Sequence, residues 1–331
     1  MQITVDKYTL IQIIGQTSKT TIYRGKDANS GLDVAIKASV ASRDEALRVD
    51  AIDDYRNEGG LIGRINHEGI VTPYDAFVMK IVEQDRWSLR LNQNAVHSID
   101  VTIEEGDRMY LVREYVHGSK LDDYMAEHME RELKFEIHAL DLMIQICGAV
   151  IYCHDNDINH NDLKPKNILV TDQGRIKILD FGLAQYLNSR RRKGVSRGTP
   201  PFASPEQYSR DFESTPASDV YSLGAVFYHM LTGKEIPAAN ERMQHKGRFQ
   251  SEISRLEDRS TWSFGLWEII RKATQLDLEQ RYMKVEVMKN DLEALKEKEY
   301  QRRTSFKDLV INGLKSVIST VSQMYYGQGQ S

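Results

Sequence analysis

"HNDLKPKNILVTDQGRIKILDFG", residues 160–182, is the stretch on which the fold turns. Its first eight residues crowd a histidine, an aspartate, two lysines and two asparagines into a run without helical or strand periodicity. The rest reads as a small hairpin, two apolar runs about a "TDQG" turn, whose second arm ends on Asp180. Helical patterns flank it. "HALDLMIQICGAVIYCHDND" precedes it at 138–157, and "SDVYSLGAVFYHMLTG" and "WEIIRKATQLD" follow at 218–233 and 267–277.

Upstream the pattern changes. "YTLIQIIG", "TTIYRGKD" and "LDVAIKAS", between residues 8 and 39, read as an antiparallel meander, the last two joined by a turn at Asn29–Gly31. "RDEALRVDAIDDYRNEGGLIGRIN" has apolar residues at helical spacing and predicts a helix ending near its glycines. Strands return at "IVTPYDAFVMK" and "RMYLVREYV", separated by a polar, alternating insert at 82–107 that reads as a docking surface or an extended solvated hairpin. Strands first and helices later predict an α+β protein with a sheet-rich front lobe and a helical back lobe. No internal repeat is visible.

The composition is that of a folded chain: 331 residues with 40% hydrophobic, 28% charged and seven prolines can bury a sizeable core. A net charge of -4 gives no basic field for nucleic acid, despite basic clusters at "SRRRKG" (189–194) and "QRRTSFK" (301–307). Cys147 and Cys153 are too few for a disulfide framework and wrongly spaced for zinc, which suits a reducing compartment. The opening "MQITVDKYTL" has no basic region followed by an apolar run, and no apolar stretch of about 18 residues is uninterrupted. The expectation is a cytoplasmic chain without a transmembrane segment.

In order along the chain stand Gly15, "VAIK" ending at Lys37, an acid in the following helix, "HNDLKPKN", "DFG" at 180–182, "GTPPFASPEQ" at 198–207 and "DVYSLG" at 219–224. This set resembles the eukaryotic-type Ser/Thr protein kinases over about residues 8–297, and the spelling "SPEQ" is nearest to their bacterial branch. The resemblance implies a bilobal fold, with an N-lobe over about 8–116, a C-lobe over about 117–297 and a tail at 298–331. It implies ATP and Mg²⁺ as cofactors and transfer of the γ-phosphoryl group to a protein hydroxyl, autophosphorylation included.

Residue by residue, the resemblance makes Asp162 the group that accepts the proton of the substrate hydroxyl and Lys164 the neutraliser of the γ-phosphoryl charge. Thr199 braces both. Lys37 holds the α and β phosphates and pairs with Glu58, while Asn167 and Asp180 are the metal ligands, hard oxygen donors of the kind magnesium needs. Ile14, Gly15, Ile22, Ala35, Glu114, Val116 and Leu169 fall on the nucleotide pocket. Glu206 pairs with Arg281, and Asp219 holds the catalytic-loop backbone from below.

The chain departs from the pattern in three places. Thr17 and Thr20 replace the second and third glycines of the phosphate loop, "GQTSKTTI", which predicts looser nucleotide binding with donors from Ser18, Lys19 or the threonines. Arg113 stands just before the hinge where most members carry an apolar residue or Thr; it is expected to reach a carboxylate and to exclude inhibitors from the back pocket. Asn161 replaces the arginine that clamps a phosphate on the activation segment, and Val195 occupies the usual phosphosite, so this switch is expected to be lost while the catalytic groups remain. Arg190–Lys193 read as a solvated loop or as a phosphate-capturing cluster beside Ser189 and Ser196.

Two other function classes fit parts of the chain. A pseudokinase scaffold fits Asn161 and the glycine-poor loop. A small-molecule phosphotransferase fits the catalytic loop but not "DFG", "GTPPFASPEQ" or Asp219. In the tail, Val310, Leu314, Val317, Val321 and Met324 lie on one helical stripe, which fits packing on the back lobe, self-association, docking of a partner or membrane-surface contact. "RRTSF" offers Thr304 and Ser305 as targets in cis.

Overall fold

The structure, a computed structural model, describes residues 3–304 apart from 18, 62, 82–85, 91–105, 129–131, 187–197, 210–214, 246–248, 250–252, 255–263 and 303. The front lobe is a seven-stranded antiparallel sheet: β1 (Ile3–Val5), β2 (Tyr8–Gln16), β3 (Thr20–Asp27), β4 (Asp33–Val40), β5 (Pro73–Ile81), β6 (Arg86–Arg90) and β7 (Arg108–Glu114). Its order is β1-β2-β3-β4-β7-β5-β6, with helix α1 (Glu45–Gly59) inserted between β4 and β5. The Asp44 side chain caps α1 by accepting from Leu47 N at 3.1 Å.

Alternation along the strands divides the sheet's apolar side chains between its two faces. Met109 and Leu111 of β7 join Ala76 and Val78 of β5 under Tyr55 of α1. Tyr110, Val112 and Phe77 turn to the opposite face with Tyr8, Val34 and Ile36, and there the rings of Phe77 and Tyr110 stack at 5.1 Å.

The back lobe begins with β8 (Gly118–Lys120), α2 (Leu121–His128) and α3 (Glu132–Asp155). Then come β9 (Ile158–Asn159), the hairpin β10 (Ile168–Thr171) and β11 (Ile176–Ile178), β12 (Gln185–Tyr186), α4 (Pro216–Thr232), α5 (Ala239–Gln244), α6 (Phe264–Ala273) and α7 over 285–302. Proline opens α4, where its missing N–H costs nothing, and Gly233 closes it at φ 65°. Between these ends α4 is buried on nearly every side, as a helix at the centre of a lobe must be. At Gly224 it approaches α6 so closely that a Cβ would lie 2.6 Å from the Ala273 Cβ.

Residues 136–155 of α3 are long and apolar enough to cross a membrane by length and composition alone, but Leu140, Met143, Ile146 and Val150 are fully buried in the back-lobe core. The lobes meet through backbone bonds, Val71 N to Ile178 O at 3.0 Å and Ile178 N to Gly69 O at 2.9 Å.

The bilobal α+β expectation is met, and the front-lobe sheet has two edge strands beyond the five read as its core. β1 and β6 extend the sheet at its two edges, β6 pairing with β5 from Ile81↔Arg86 to Phe77↔Arg90. That places a hairpin at the start of the insert; residues 91–105 lie outside the described part.

Candidate active site

The loop after β9 is built on one buried carboxylate. Asp219, fully buried on α4, accepts from His160 N and Asn161 N at 2.8 Å each and faces His154 Nε2 at 2.9 Å. Burial opposes its charge, but the imidazoles of His154 and His160 and the donated N–H hold its pKa below the usual carboxylate range. Asn161 sits at φ 62°, a left-handed backbone that asparagine tolerates better than most residues. Gln207 supports the loop from the other side: its Nε2 donates to Asn161 O at 2.9 Å, while its Oε1 accepts from Ser204 N. Sequence reading assigned Gln207 no role, although Ser-x-x-Gln is a capping-box signature.

From this base four side chains converge. Lys164 Nζ lies 2.6 Å from Asp162 Oδ2 and donates to Thr199 Oγ1 at 2.8 Å; Thr199 Oγ1 in turn donates to Asp162 Oδ1 at 3.0 Å. Asn167 Nδ2 donates to Asp162 O at 2.9 Å and Oδ2 at 3.2 Å, which fixes the amide and turns its Oδ1 to the other side.

Above them, Lys37 on β4 is ion-paired with Glu58 of α1, and its Nζ lies 3.2 Å from Asp180 Oδ1. Burial disfavours the Lys37 charge, but the Glu58 and Asp180 carboxylates outweigh it and raise the pKa of the ammonium. Burial and the neighbouring Asp180 push Glu58 up to about 7, against the pull of Lys37 and Arg113. Burial works on Asp180 as well, yet Lys37, a proton shared from Glu58, Arg113 and the Gly182 N–H hold it well below the usual range. Asp180 therefore keeps its charge in the cleft.

Arg113 corrects one expectation. Its Nη1 donates to the backbone carbonyl of Leu179 at 2.7 Å rather than to a carboxylate, because β7 aims it at the strand end that carries Asp180. In the phosphate loop Thr17 Oγ1 accepts from Lys19 N at 3.2 Å and Thr20 N at 3.0 Å, so this threonine takes up two of the loop's own N–H groups. Beneath the loop a cavity of about 750 Å³ opens between β4 and α1, lined by Lys19, Lys37, Asp54 and Glu58 among others.

The residues expected at the nucleotide are spread over the front-lobe strands, the end of β7 and β10. Ala35 is paired with Arg113 and Val34 with Glu114 across β4 and β7, and Gly15 with Ile22 across β2 and β3, beside a register shift at Ile13–Gly15 that includes Ile14. Leu169 lies on β10, and Val116 follows the end of β7. The Glu114 side chain is engaged by Lys177 Nζ at 2.8 Å and accepts from Thr72 N at 3.2 Å.

Arg281, its side chain fully buried, donates to Glu206 Oε1 at 2.9 Å and Oε2 at 3.3 Å and to Ala217 O at 2.8 Å. Burial raises the Glu206 pKa, but Arg281 dominates and leaves it below the ordinary value of 4.5. A depressed carboxylate contributes stability above its unfolded pKa and loses it as the pH falls through the folded one. Glu206→Gln is therefore expected to cost about 2 kcal/mol at pH 7, with the gap to wild type closing below about pH 4.5. Urea unfolding at several pH values checks this; a gap independent of pH would mean that the ion pair is not what holds the site.

Ser189, Arg190–Lys193, Val195, Ser196, Ser18, Ser305 and the tail stripe from Val310 to Met324 lie outside the described residues. Thr304 is exposed, and its Oγ1 donates to Tyr300 O at 3.0 Å.

The family model for the protein kinase domain matches residues 8–310. Among similar proteins, the serine/threonine-protein kinase PrkC of Bacillus subtilis is 30% identical over 293 residues, 86% of this chain and 40% of the relative. Serine/threonine-protein kinases drp72 of Corynebacterium efficiens is 33% identical over 231 residues, 69% of this chain and 39% of that protein. CBL-interacting serine/threonine-protein kinase 20 of Arabidopsis thaliana is 28% identical over 230 residues, 69% of this chain and 45% of that protein. The chain thus spans less than half the length of these curated relatives. With the family match covering both lobes and the motif residues converging in the cleft between them, the chain belongs to the serine/threonine protein kinase family.

Proposed function

We propose that the chain transfers the γ-phosphoryl group of ATP to serine and threonine hydroxyls of proteins, its own included, in a magnesium-dependent reaction that the usual catalytic-loop arginine does not switch. The observation that carries the reading is the joined cluster of Asp162, Lys164, Thr199 and Asn167, facing Lys37, Glu58 and Asp180 across one cleft.

The residues fit the cofactors. Asn167 Oδ1 and the charged Asp180 carboxylate are hard oxygen donors, and two such ligands suit an ion that completes its shell with phosphate and water. Magnesium bound there would supply neutralisation of phosphate charge. The chain's own residues do the rest. Lys37 binds phosphate, and its pairing with Glu58 fixes where its Nζ lies. Asp162 receives the substrate hydroxyl's hydrogen bond and proton, with Thr199 and Lys164 fixing the carboxylate plane. Lys164 sits where negative charge grows on the transferred group. A cytoplasmic setting, where ATP is at hand and thiols stay reduced, suits the two free cysteines.

A binding-only reading keeps one observation on its side, the Thr17 hydroxyl occupying loop N–H groups. Labelled γ-phosphate decides between them. Wild-type protein is expected to move label onto serine and threonine of itself and of a generic basic protein, and to stop when magnesium is chelated. Nucleotide binding without any transfer would establish the scaffold instead.

A further inference from the structure

The segment Leu179–Leu183, which carries Asp180, is gripped by its carbonyls. Arg113 on β7 donates from Nη1 to Leu179 O at 2.7 Å. Asn57 on α1 donates from Nδ2 to Gly182 O at 2.9 Å. Asn161 in the catalytic loop donates from Nδ2 to Leu183 O at 3.1 Å. Three donors from three elements thus bracket Asp180 and Phe181. Phe181 is itself buried, with its ring 4.7 Å from that of His160.

Space is short as well. A Cβ at Gly182 would stand 3.3 Å from the Asp54 Cβ, so α1 lies directly against the segment. The cavity behind Arg113, lined also by Glu58, Leu111 and Phe181, holds about 30 Å³, room for a water or two and no more.

We propose that Arg113, Asn57 and Asn161 are positioning residues that together hold the Asp180 segment inward, ready for metal, with no phosphate anywhere on the chain. The proposal rests on the reading of Asp180 as a metal ligand. A phosphate clamp exists only after another reaction has made the phosphate; these donors belong to the unmodified chain and are always present. Turning the segment outward breaks three hydrogen bonds, one of them from a charged donor, and expels a buried ring. Asn161, which cannot clamp a phosphate, contributes its amide to the same end directly.

Hydrogen exchange on phosphatase-treated protein, verified as unphosphorylated by mass, tests this without relying on turnover. The amides of Leu179, Gly182 and Ala184 report, since they donate to Asn167 O at 2.9 Å, Asp180 Oδ1 at 3.1 Å and Phe181 O at 2.9 Å. Arg113→Met, Asn57→Ala and Asn161→Gly each remove one donor, glycine being chosen to keep the left-handed backbone. Each is expected to speed exchange of these amides about tenfold, with α4 and β11 unchanged. Arg113→Lys, which keeps a donor, stays within about threefold of wild type. Because a single loss leaves the inward state in excess, kcat falls only in the triple variant, where the factors multiply to about a thousandfold.

Unchanged exchange in all three single variants overturns the proposal, as does acceleration shared equally by α4, or protection that appears in wild type only after phosphorylation. Faster exchange with an undiminished kcat in the triple variant overturns the positioning role. A wild type that transfers no phosphate overturns the kinase reading instead, and the exchange data still decide the clamp.

Discussion

Asp162→Ala is expected to lower kcat for phosphoryl transfer by about a thousandfold or more, while nucleotide affinity and melting temperature stay near those of wild type. The carboxylate collects hydrogen bonds from Thr199, Lys164 and Asn167, so its oxygens cannot drift, and in the proposed reaction it is the acceptor of the substrate hydroxyl's proton. Deletion removes that acceptor and leaves Lys164 free to turn toward water, since its side chain is already 22% exposed. The folded state loses little and the transition state loses much. Single-turnover kinetics with a melting curve on the same sample separate the two. Transfer within about tenfold of wild type would remove Asp162 from the mechanism, because a positioned base contributes about a hundredfold at least.

Asp219→Ala acts on the other side of the same loop, and its main effect is expected on stability: a loss of about 3 to 5 kcal/mol, or a melting point lower by on the order of 10 °C. Asp219 is fully buried and accepts two backbone N–H groups and an imidazole. Alanine leaves those donors in the core without an acceptor, and each such group costs about 1 to 3 kcal/mol. Activity falls as well, because the amides released belong to His160 and Asn161, next to Asp162. Calorimetry decides the point; a loss under about 1 kcal/mol would show that the amides find another acceptor and that Asp219 is not what shapes the loop.

The strand meander, the hairpin after Asn167 and the core helix α4 were legible because each carries its own period: alternation in the strands, apolar residues on all faces of α4. The edge strands were not. "ITV" in β1 is three residues long and gives no pattern of its own, while "RWSLR" in β6 lies in the alternating insert whose two readings, a docking surface or an extended hairpin, its polar residues did not decide between. In the site, the motif residues announced themselves by order and spacing, and the structure brings Lys37, Glu58 and Asp180 into one cluster. What spacing does not encode is the partner of a long side chain. Arg113 and Leu179 are 66 residues apart, and nothing local says that a carbonyl rather than a carboxylate receives the guanidinium. Thr17 shows the same limit at short range: nothing in the spelling of the loop says that its hydroxyl accepts from the amides two and three residues on.

Cys147 and Cys153 lie on α3 in the middle of the back lobe, both free and neither exposed. Burial pushes the Cys147 thiol up to about 12 and raises Cys153 further, so the reactive thiolate is scarce at neutral pH even before access is considered. Glutathione disulfide and thiol-directed alkylating reagents therefore find no reactive sulfhydryl in the native protein, and they gain one only when the helical lobe comes apart. The consumption of these two sulfurs is a clock for that opening.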